Sequence, residues 1–141
     1  MGEDKSNCLE ASSDELIWDE RFSVKALVMD RQHRSLFDLI NEVRKACIEG
    51  ADQKTMLDTI HRLYEYASTH FRDEENIMSS RDPALLEEQQ KQHAIFLDYV
   101  FHLEEKVKAN SNAVDSEILT FLKVWWEEHI LKLDKQYSKY F

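Results

Sequence analysis

Residues that interrupt helices are scarce in this chain. Only two glycines and one proline occur among its 141 residues, so it offers few of the positions at which strands turn back on themselves. Leucine, glutamate, lysine and alanine, all good helix formers, are frequent instead. A hydrophobic fraction of 43% is that of a globular domain and not of a disordered chain. These features predict an all-α protein of a length that suits one core.

Apolar residues recur at steps of three and four along four segments, which is the spacing of one face of a helix. The predicted inner faces are, in chain order, Met29, His33, Leu36, Phe37, Ile40, Val43 and Cys47; Met56, Ile60, Leu63, Ala67, His70, Glu74 and Ile77; Leu86, Gln89, His93, Phe96, Val100 and Leu103; and Ile118, Leu122, Trp125, Trp126, His129, Leu133 and Tyr137.

Short breaks separate these four segments. The signals that end or begin a helix are Gly50 as an end, then Asp52, Asp82 with Pro83, and either Asn112 or Asp115 as beginnings. Four helices with short loops predict an up-down-up-down antiparallel four-helix bundle over residues 15–141. We expect a flexible tail over residues 1–14 and, after it, an N-terminal extended arm whose Ile17, Trp18 and Phe22 pack across the bundle.

Charge and composition exclude several classes of function. With 18 basic and 28 acidic residues, the net charge is −10, which disfavours binding to nucleic acid or to an anionic membrane surface. No apolar stretch approaches the roughly 20 residues that a membrane span needs. The N-terminus has no apolar signal region, and two cysteines make no disulfide framework. A cytoplasmic location is the expectation.

Each of the four inner faces carries a histidine where an apolar residue is expected. These are His33, His70, His93 and His129, and two carboxylates, Glu74 and Asp134, join them. His70 and Glu74 lie four residues apart and therefore share a helix face. His129 and Asp134 lie five apart, a poorer match, because five helical steps leave about 140° of rotation between them.

Two other histidines serve as internal controls. His61 and His102 each lie nine residues from an inward histidine, which is half a turn beyond two full turns, so both are predicted to point outward. A single buried histidine is usually a hydrogen-bonded core residue. Four of them together with two buried carboxylates are best explained by cations, because unpaired buried charges cost several kcal/mol each. Imidazole and carboxylate ligands suit iron, manganese or zinc, and six groups suit two bridged ions.

Several segments of the chain resemble the hemerythrin and bacteriohemerythrin family. The matching segments are Asp30 to His33, Leu36 to Asn41, His70 to Glu75, His93, and Trp125 to Ile130 with Asp134. The resemblance extends over about residues 17–138. It implies two non-haem irons bridged by an oxo or hydroxo group and by the carboxylates of Glu74 and Asp134. It further implies that His33 and His70 bind one iron and that His93 and His129 bind the other.

The sequence departs from the family pattern at two site positions. The family's third helix usually has His-x-x-x-His, and here Gln89 takes the first place of that pair. Gln89 is expected to be a weak ligand, or to form a hydrogen bond while water completes the shell. Trp126 replaces a leucine that commonly lines the O2 pocket. The predicted ligand pocket comprises Trp125, Trp126, Leu36 and Phe37.

Three functions are compatible with these residues. The first is a diiron domain that binds O2 or a related small ligand (peroxide, NO or a small anion), as a redox-responsive sensor or a carrier. A sensor would need a signalling output domain or partner that this chain does not contain. The second is a diiron peroxidase, oxidase or NO-reducing enzyme that uses the position opened by Gln89. The third is a structural bundle that holds zinc. Four histidines against two carboxylates, with no Glu-x-x-His pair in the sequence, favour the first.

Overall fold

The computed structural model describes residues 15–110 and 112–141, so the predicted tail over 1–14 lies outside the described residues. The four helices are α1 (Leu27–Ile48), α2 (Gln53–Ser79), α3 (Pro83–Ala109) and α4 (Ser116–Lys132). A 3-10 turn (Glu20–Phe22) precedes α1, and a 3-10 helix (Asp134–Tyr140) follows α4. The predicted all-α, antiparallel four-helix bundle with an N-terminal arm is confirmed. None of the described helices combines the length and the apolar character needed to cross a membrane.

Side-chain caps fix where three of the helices begin. Asp52 accepts a hydrogen bond from the backbone N–H of the third residue after it, and Asp82 and Asp115 do the same for α3 and α4. Asp115, and not Asn112, is therefore the cap of α4. Gly50 has a φ of 65° in the loop after α1, a left-handed conformation that glycine adopts without steric cost.

The predicted inner faces are buried, with small shifts near helix ends. Five predicted core residues are only half-buried: Ile77, Leu86, Ile118, Trp125 and Leu133. At the first three positions a neighbour in sequence is buried instead, namely Met78, Leu85 and Leu119. Because an α-helix has 3.6 residues per turn, positions three or four residues apart gradually rotate away from the buried face. The predicted inner face is therefore least certain near the ends of a helix.

The extended arm is attached to α1 by paired hydrogen bonds. The backbone N–H of Leu16 donates to Asn41 Oδ1 at 2.8 Å, and Asn41 Nδ2 donates back to the Leu16 carbonyl at 2.9 Å. Leu16 is buried, whereas Ile17 is 72% exposed. The prediction that Ile17 packs on the bundle is therefore wrong, because neighbouring side chains of an extended segment point to opposite sides.

Aromatic side chains complete the arm's attachment as predicted. The ring centroids of Trp18 and Phe22 lie 5.7 Å and 5.2 Å from that of Phe37 on α1. The Arg34 guanidinium lies 5.0 Å from the Trp18 ring. These contacts cover the α1 side of the core, and Phe22 is fully buried.

The turn from the arm into α1 is held from two sides. Asp30 accepts hydrogen bonds from the Val24 backbone N–H at 2.8 Å and from Ser23 Oγ at 2.7 Å. Lys135, after α4, donates to the Ser23 carbonyl at 2.7 Å. Between these contacts Lys25 has a φ of 65°, which costs a residue with a Cβ about 1 kcal/mol. A glycine at this position would remove that cost.

The chain changes its helical geometry after α4. The prediction that one helix continues through Leu133 and Tyr137 is wrong, since α4 ends at Lys132 and the 3-10 helix begins at Asp134. With three residues per turn, Asp134 and Tyr137 share one face, and both are fully buried. The change of geometry accounts for the five-residue spacing from His129 to Asp134, which fitted a continuous helix poorly.

Candidate metal centre

Six buried polar side chains converge between the helices. None is more than 5% exposed, and every helix contributes at least one. They are His33 from α1, His70 and Glu74 from α2, His93 from α3, His129 from α4 and Asp134 from the 3-10 helix.

The carboxylate of Glu74 lies between two pairs of imidazoles. Its Oε2 atom is 3.2 Å from Nε2 of His33 and 3.2 Å from Nε2 of His70. Its Oε1 atom is 3.1 Å from Nε2 of His93 and 3.9 Å from Nε2 of His129. Each oxygen of Glu74 therefore faces a different histidine pair, which is the arrangement of a carboxylate that bridges two ions.

Asp134 provides a second carboxylate that also contacts one histidine of each pair. Its Oδ2 atom is 3.0 Å from His33 Nε2, and its Oδ1 atom is 3.2 Å from His129 Nε2. The donor atoms of His33, His70, Glu74 and Asp134 form one group within 4.8 Å of one another, and those of Glu74, His93 and His129 form another.

Unpartnered polar atoms test whether this site suits metal ions. Five donor atoms are buried and make no well-aligned hydrogen bond in the described part of the chain, although each lies within 3.2 Å of another ligand atom of the site: Nε2 of His70, His93 and His129, Oε1 of Glu74, and Oδ2 of Asp134. A buried polar atom without a partner costs about 1–3 kcal/mol. Cations bound among these atoms would remove that cost, and the mixed imidazole and carboxylate set fits iron.

Burial and neighbouring charges shift the pKa values of these side chains when no metal ion is bound. Burial lowers the pKa of His33, but the carboxylates of Asp134 and Glu74 outweigh it and raise that pKa to about 9. In the same way His129 has a pKa raised to about 10. Burial raises the pKa of Glu74, yet the neighbouring imidazoles, His70 foremost, hold it well below its usual value. Imidazoles that carry protons must release them when a metal ion binds.

Hydrogen bonds on the far side of two imidazoles fix their orientation. His70 Nδ1 lies 2.6 Å from Gln32 Oε1, and Gln32 Nε2 donates to Asp73 Oδ2 at 3.0 Å. His93 Nδ1 lies 2.7 Å from Glu75 Oε2. Because both partners are acceptors, Nδ1 carries the hydrogen and the Nε2 lone pair faces the centre.

Residues 26–141 match the family described as the Hemerythrin HHE cation binding domain. The matched range is most of the chain and contains all six donors. The chain belongs to the hemerythrin family. Members of this family bind O2 at a non-haem diiron centre bridged by an oxo or hydroxo group and by carboxylates.

Individual relatives extend over nearly the same range. The chain is 29% identical to a bacteriohemerythrin of Clostridium acetobutylicum, with 86% of this chain and 97% of the relative covered. It is 30% identical to a myohemerythrin of Riftia pachyptila, with 86% and 90% covered. A solved structure of wild-type hemerythrin shares the fold with a TM-score of 0.81 at 24% identity, covering 89% of this chain and 97% of that one.

Gln89 is the residue predicted from the sequence to replace a histidine of the family pattern. It is fully buried, and its Nε2 donates to Asp134 Oδ1 at 2.7 Å. That oxygen is the one that faces His129. The Oε1 atom of Gln89 is buried and has no hydrogen-bond partner in the described part of the chain. Gln89 thus holds one of the two carboxylates in place and keeps a free acceptor beside it.

Tyr137 is a site residue whose role the sequence pattern did not reveal. Its hydroxyl donates to Glu74 Oε2 at 2.8 Å. Burial and the carboxylates of Glu74 and Asp134 raise the pKa of Tyr137 well above its usual value, so the hydroxyl remains a donor. The apolar pattern placed Tyr137 on the predicted inner face of the fourth helix. Its contact with Glu74 depends on the 3-10 geometry after α4.

The two adjacent tryptophans lie against the histidines. The Trp126 ring is fully buried, with its centroid 5.9 Å from those of His70 and His129 and 6.4 Å from that of His33. Its Nε1 has no hydrogen-bond partner in the described residues. Trp125 stacks on His129 with centroids 4.4 Å apart. Both rings therefore contact proposed ligands, and their membership of a ligand pocket stays a prediction.

Other aromatic residues have different surroundings. Phe71, which the sequence analysis did not assign to the site, stacks on His93 with centroids 3.8 Å apart. Leu36 and Phe37 are buried on the inner face of α1, and Phe37 contacts the aromatic rings of the arm. Their membership of a ligand pocket stays a prediction.

The control histidines lie outside the bundle, as expected. The side chains of His61 and His102 are 57% and 64% exposed. They lie near the carboxylates of Glu65 and Asp98 on their own helices. The helical-face argument therefore separates inward from outward histidines correctly.

Proposed function

We propose that the six converging side chains are the iron ligands of this hemerythrin domain. His33 and His70 bind one iron, His93 and His129 bind the other, and Glu74 and Asp134 bridge them. The observation that carries this assignment is the division of Glu74, whose two oxygens face different histidine pairs. The unpartnered buried donors support it.

The function that this centre supports best is binding of O2 or a related small ligand, by a redox-responsive sensor domain or a carrier. Four imidazoles and two carboxylates give the site more neutral ligands than the carboxylate-rich O2-activating bundles have. In a sensor, the signal passes to an output domain or a partner protein. In a carrier, O2 is bound and released without a net reaction.

A diiron enzyme, a peroxidase, an oxidase or an NO-reducing protein, is the second candidate. It is favoured by two unpartnered polar atoms, the acceptor Oε1 of Gln89 and the donor Nε1 of Trp126. Both side chains are fully buried. Such groups can hydrogen-bond a guest that carries both a proton and a lone pair, as peroxide does.

Metal analysis and optical spectra of the purified protein test this proposal. Bound iron in the ratio of two per chain, with the spectrum of a bridged diferric centre, is the expected result. After anaerobic reduction, reversible return of an oxygenated spectrum on adding O2 would support a carrier or sensor. Immediate oxidation without a stable adduct would support the enzyme or a redox sensor. One zinc per chain, or no metal, would overturn the proposal.

Replacing Gln89 with histidine tests the role of this position. We expect Gln89→His to supply the missing imidazole, to change the ligand-field spectrum and to slow autoxidation by about tenfold, the size of effect typical of changes around a metal site. Stopped-flow oxidation of the reduced protein measures this rate. Gln90→His is the matched control, because Gln90 is the next residue and is exposed. Identical spectra and rates in Gln89→His would contradict the assignment.

A further inference from the structure

The six proposed ligands form two groups of unequal size. The larger group has four members whose donor atoms all lie within 4.8 Å of one another: His33, His70, Glu74 and Asp134. The smaller group has three members in the described part of the chain: Glu74, His93 and His129. An ion in the larger group would therefore meet two imidazoles and two carboxylates, whereas an ion in the smaller group would meet two imidazoles and one carboxylate.

The two oxygens of Asp134 differ in their partners. Oδ1 accepts a hydrogen bond from Nε2 of Gln89 at 2.7 Å. Oδ2 lies 3.0 Å from Nε2 of His33 and makes no well-aligned hydrogen bond in the described residues. Because the amide of Gln89 already occupies one lone pair of Oδ1, Oδ2 is the oxygen left to complete the coordination of an ion. Gln89 thus turns Asp134 toward the larger group.

The distribution of charge favours the same group. Asp134 gives the larger group one negative charge more than the smaller group has, and this charge attracts a cation directly. Glu75 acts in the opposite direction, because its Oε2 lies 2.7 Å from Nδ1 of His93. An imidazole ring separates that carboxylate from the donor atom, and the Glu75 side chain is 27% exposed to solvent. Its effect is therefore smaller than that of Asp134.

Protons do not distinguish the two groups. Each contains one histidine whose pKa is raised by the carboxylates, His33 to about 9 and His129 to about 10. An ion must displace a proton from either group when it binds at neutral pH. The difference between the groups therefore comes from the number of donors and their charge.

We infer that the two metal positions fill in order, the four-residue group first, and that Gln89 sets this order by committing Asp134 to that group. The inference rests on the proposed ligand set and makes the Asp134 bridge an unequal one. The second divalent ion meets fewer donors and is repelled by the first. It is therefore the ion that exchanges with solution, so a centre of two different metals forms when they are added in turn.

Titration of the metal-free chain with Co²⁺ tests this order, because the visible absorption of cobalt reports its coordination. For the wild-type chain we expect two steps of one ion each, with dissociation constants about a hundredfold apart. His70→Ala and His93→Ala are a matched pair, since each removes one buried imidazole from one group only. His93→Ala should keep the tight step and lose the weak one, whereas His70→Ala should lose the tight step.

Three results would contradict different parts of the inference. Two ions bound by the wild-type chain in a single unresolved step would overturn the inequality and leave the ligand set intact. Loss of the tight step in His93→Ala, with its retention in His70→Ala, would overturn the order. Failure of the wild-type chain to bind any cobalt would overturn the ligand set itself.

Gln89→Leu tests the part that the amide plays. Leucine is of similar size but has no N–H to hold Asp134 Oδ1, so Asp134 is no longer committed to one group. We expect the ratio of the two dissociation constants to fall about tenfold. Gln90→Leu is the control, because Gln90 is exposed, and its ratio should match that of the wild-type chain. A purely structural role of Gln89 would weaken both steps equally, and an unchanged ratio would overturn the role assigned to it.

Discussion

Glu74→Gln is expected to lose both irons. Glu74 is the only one of the six proposed ligands whose oxygens lie within 4 Å of all four imidazoles among the described residues. The substitution keeps the shape of the side chain but removes its negative charge, and it turns an amide N–H₂ toward nitrogen atoms that should face an ion. Iron content by elemental analysis should fall at least tenfold, because the loss of a ligand is expected to exceed the smallest effects that changes around a metal site cause.

Glu65→Gln is the control for this variant. Glu65 lies on the same helix, and its side chain is 68% exposed. The iron content of the Glu65→Gln protein should therefore equal that of the wild-type chain. His61→Ala offers a second control for the histidine ligands. A Glu74→Gln protein that keeps one iron would contradict a bridging role for Glu74. It would indicate two independent sites.

Removal of the metal should lower the midpoint of thermal unfolding by about 10–20 °C. Metal binding to a folded site contributes its free energy directly to folding. A contribution of roughly 5 kcal/mol shifts the midpoint of a domain of this size by about 15 °C. The metal-free chain should nevertheless remain helical, because residues such as Val43, Ile60 and Val100 form an apolar core that does not depend on the metal. Protons on His33 and His129 also offset part of the charge of the two carboxylates.

Thermal melts followed by circular dichroism provide the measurement. The wild-type chain is compared before and after treatment with a chelator under reducing conditions, and again after iron is restored. The same treatment should leave the midpoint of the Glu74→Gln protein unchanged, since that variant has no iron to lose. Equal midpoints for iron-loaded and metal-free wild-type protein would contradict a contribution of the metal to folding.

The proposed ligand positions could be predicted from the sequence because they break a strong pattern. A polar residue on an apolar helix face is conspicuous, and His33, His70 and His93 lie within regular helices where the period is reliable. Asp134 was harder to place. Its position depends on the change from α-helix to 3-10 helix after Lys132, which follows from contacts with the rest of the fold and not from local propensity.

Other parts of the site could not be predicted from periodicity. Gln32 and Glu75 lie beside the inner faces and reach His70 and His93 laterally, and a one-dimensional stripe does not describe such contacts. The arm posed a different difficulty. Leu16, Ile17 and Trp18 are three consecutive apolar residues, so an extended segment can bury either set of alternate side chains. The hydrogen bonds between Leu16 and Asn41 decide which.

The division of the histidines has a mechanical consequence. α1 and α2 form one helical hairpin and supply His33 and His70, whereas α3 and α4 form a second hairpin and supply His93 and His129. Ions held by these four histidines and by Glu74 would join the two hairpins, much as a covalent cross-link restricts two chain segments. A sliding or tilting of one hairpin against the other would then be opposed by ligand bonds on both hairpins, so the bound metal would stiffen the bundle as well as stabilise it.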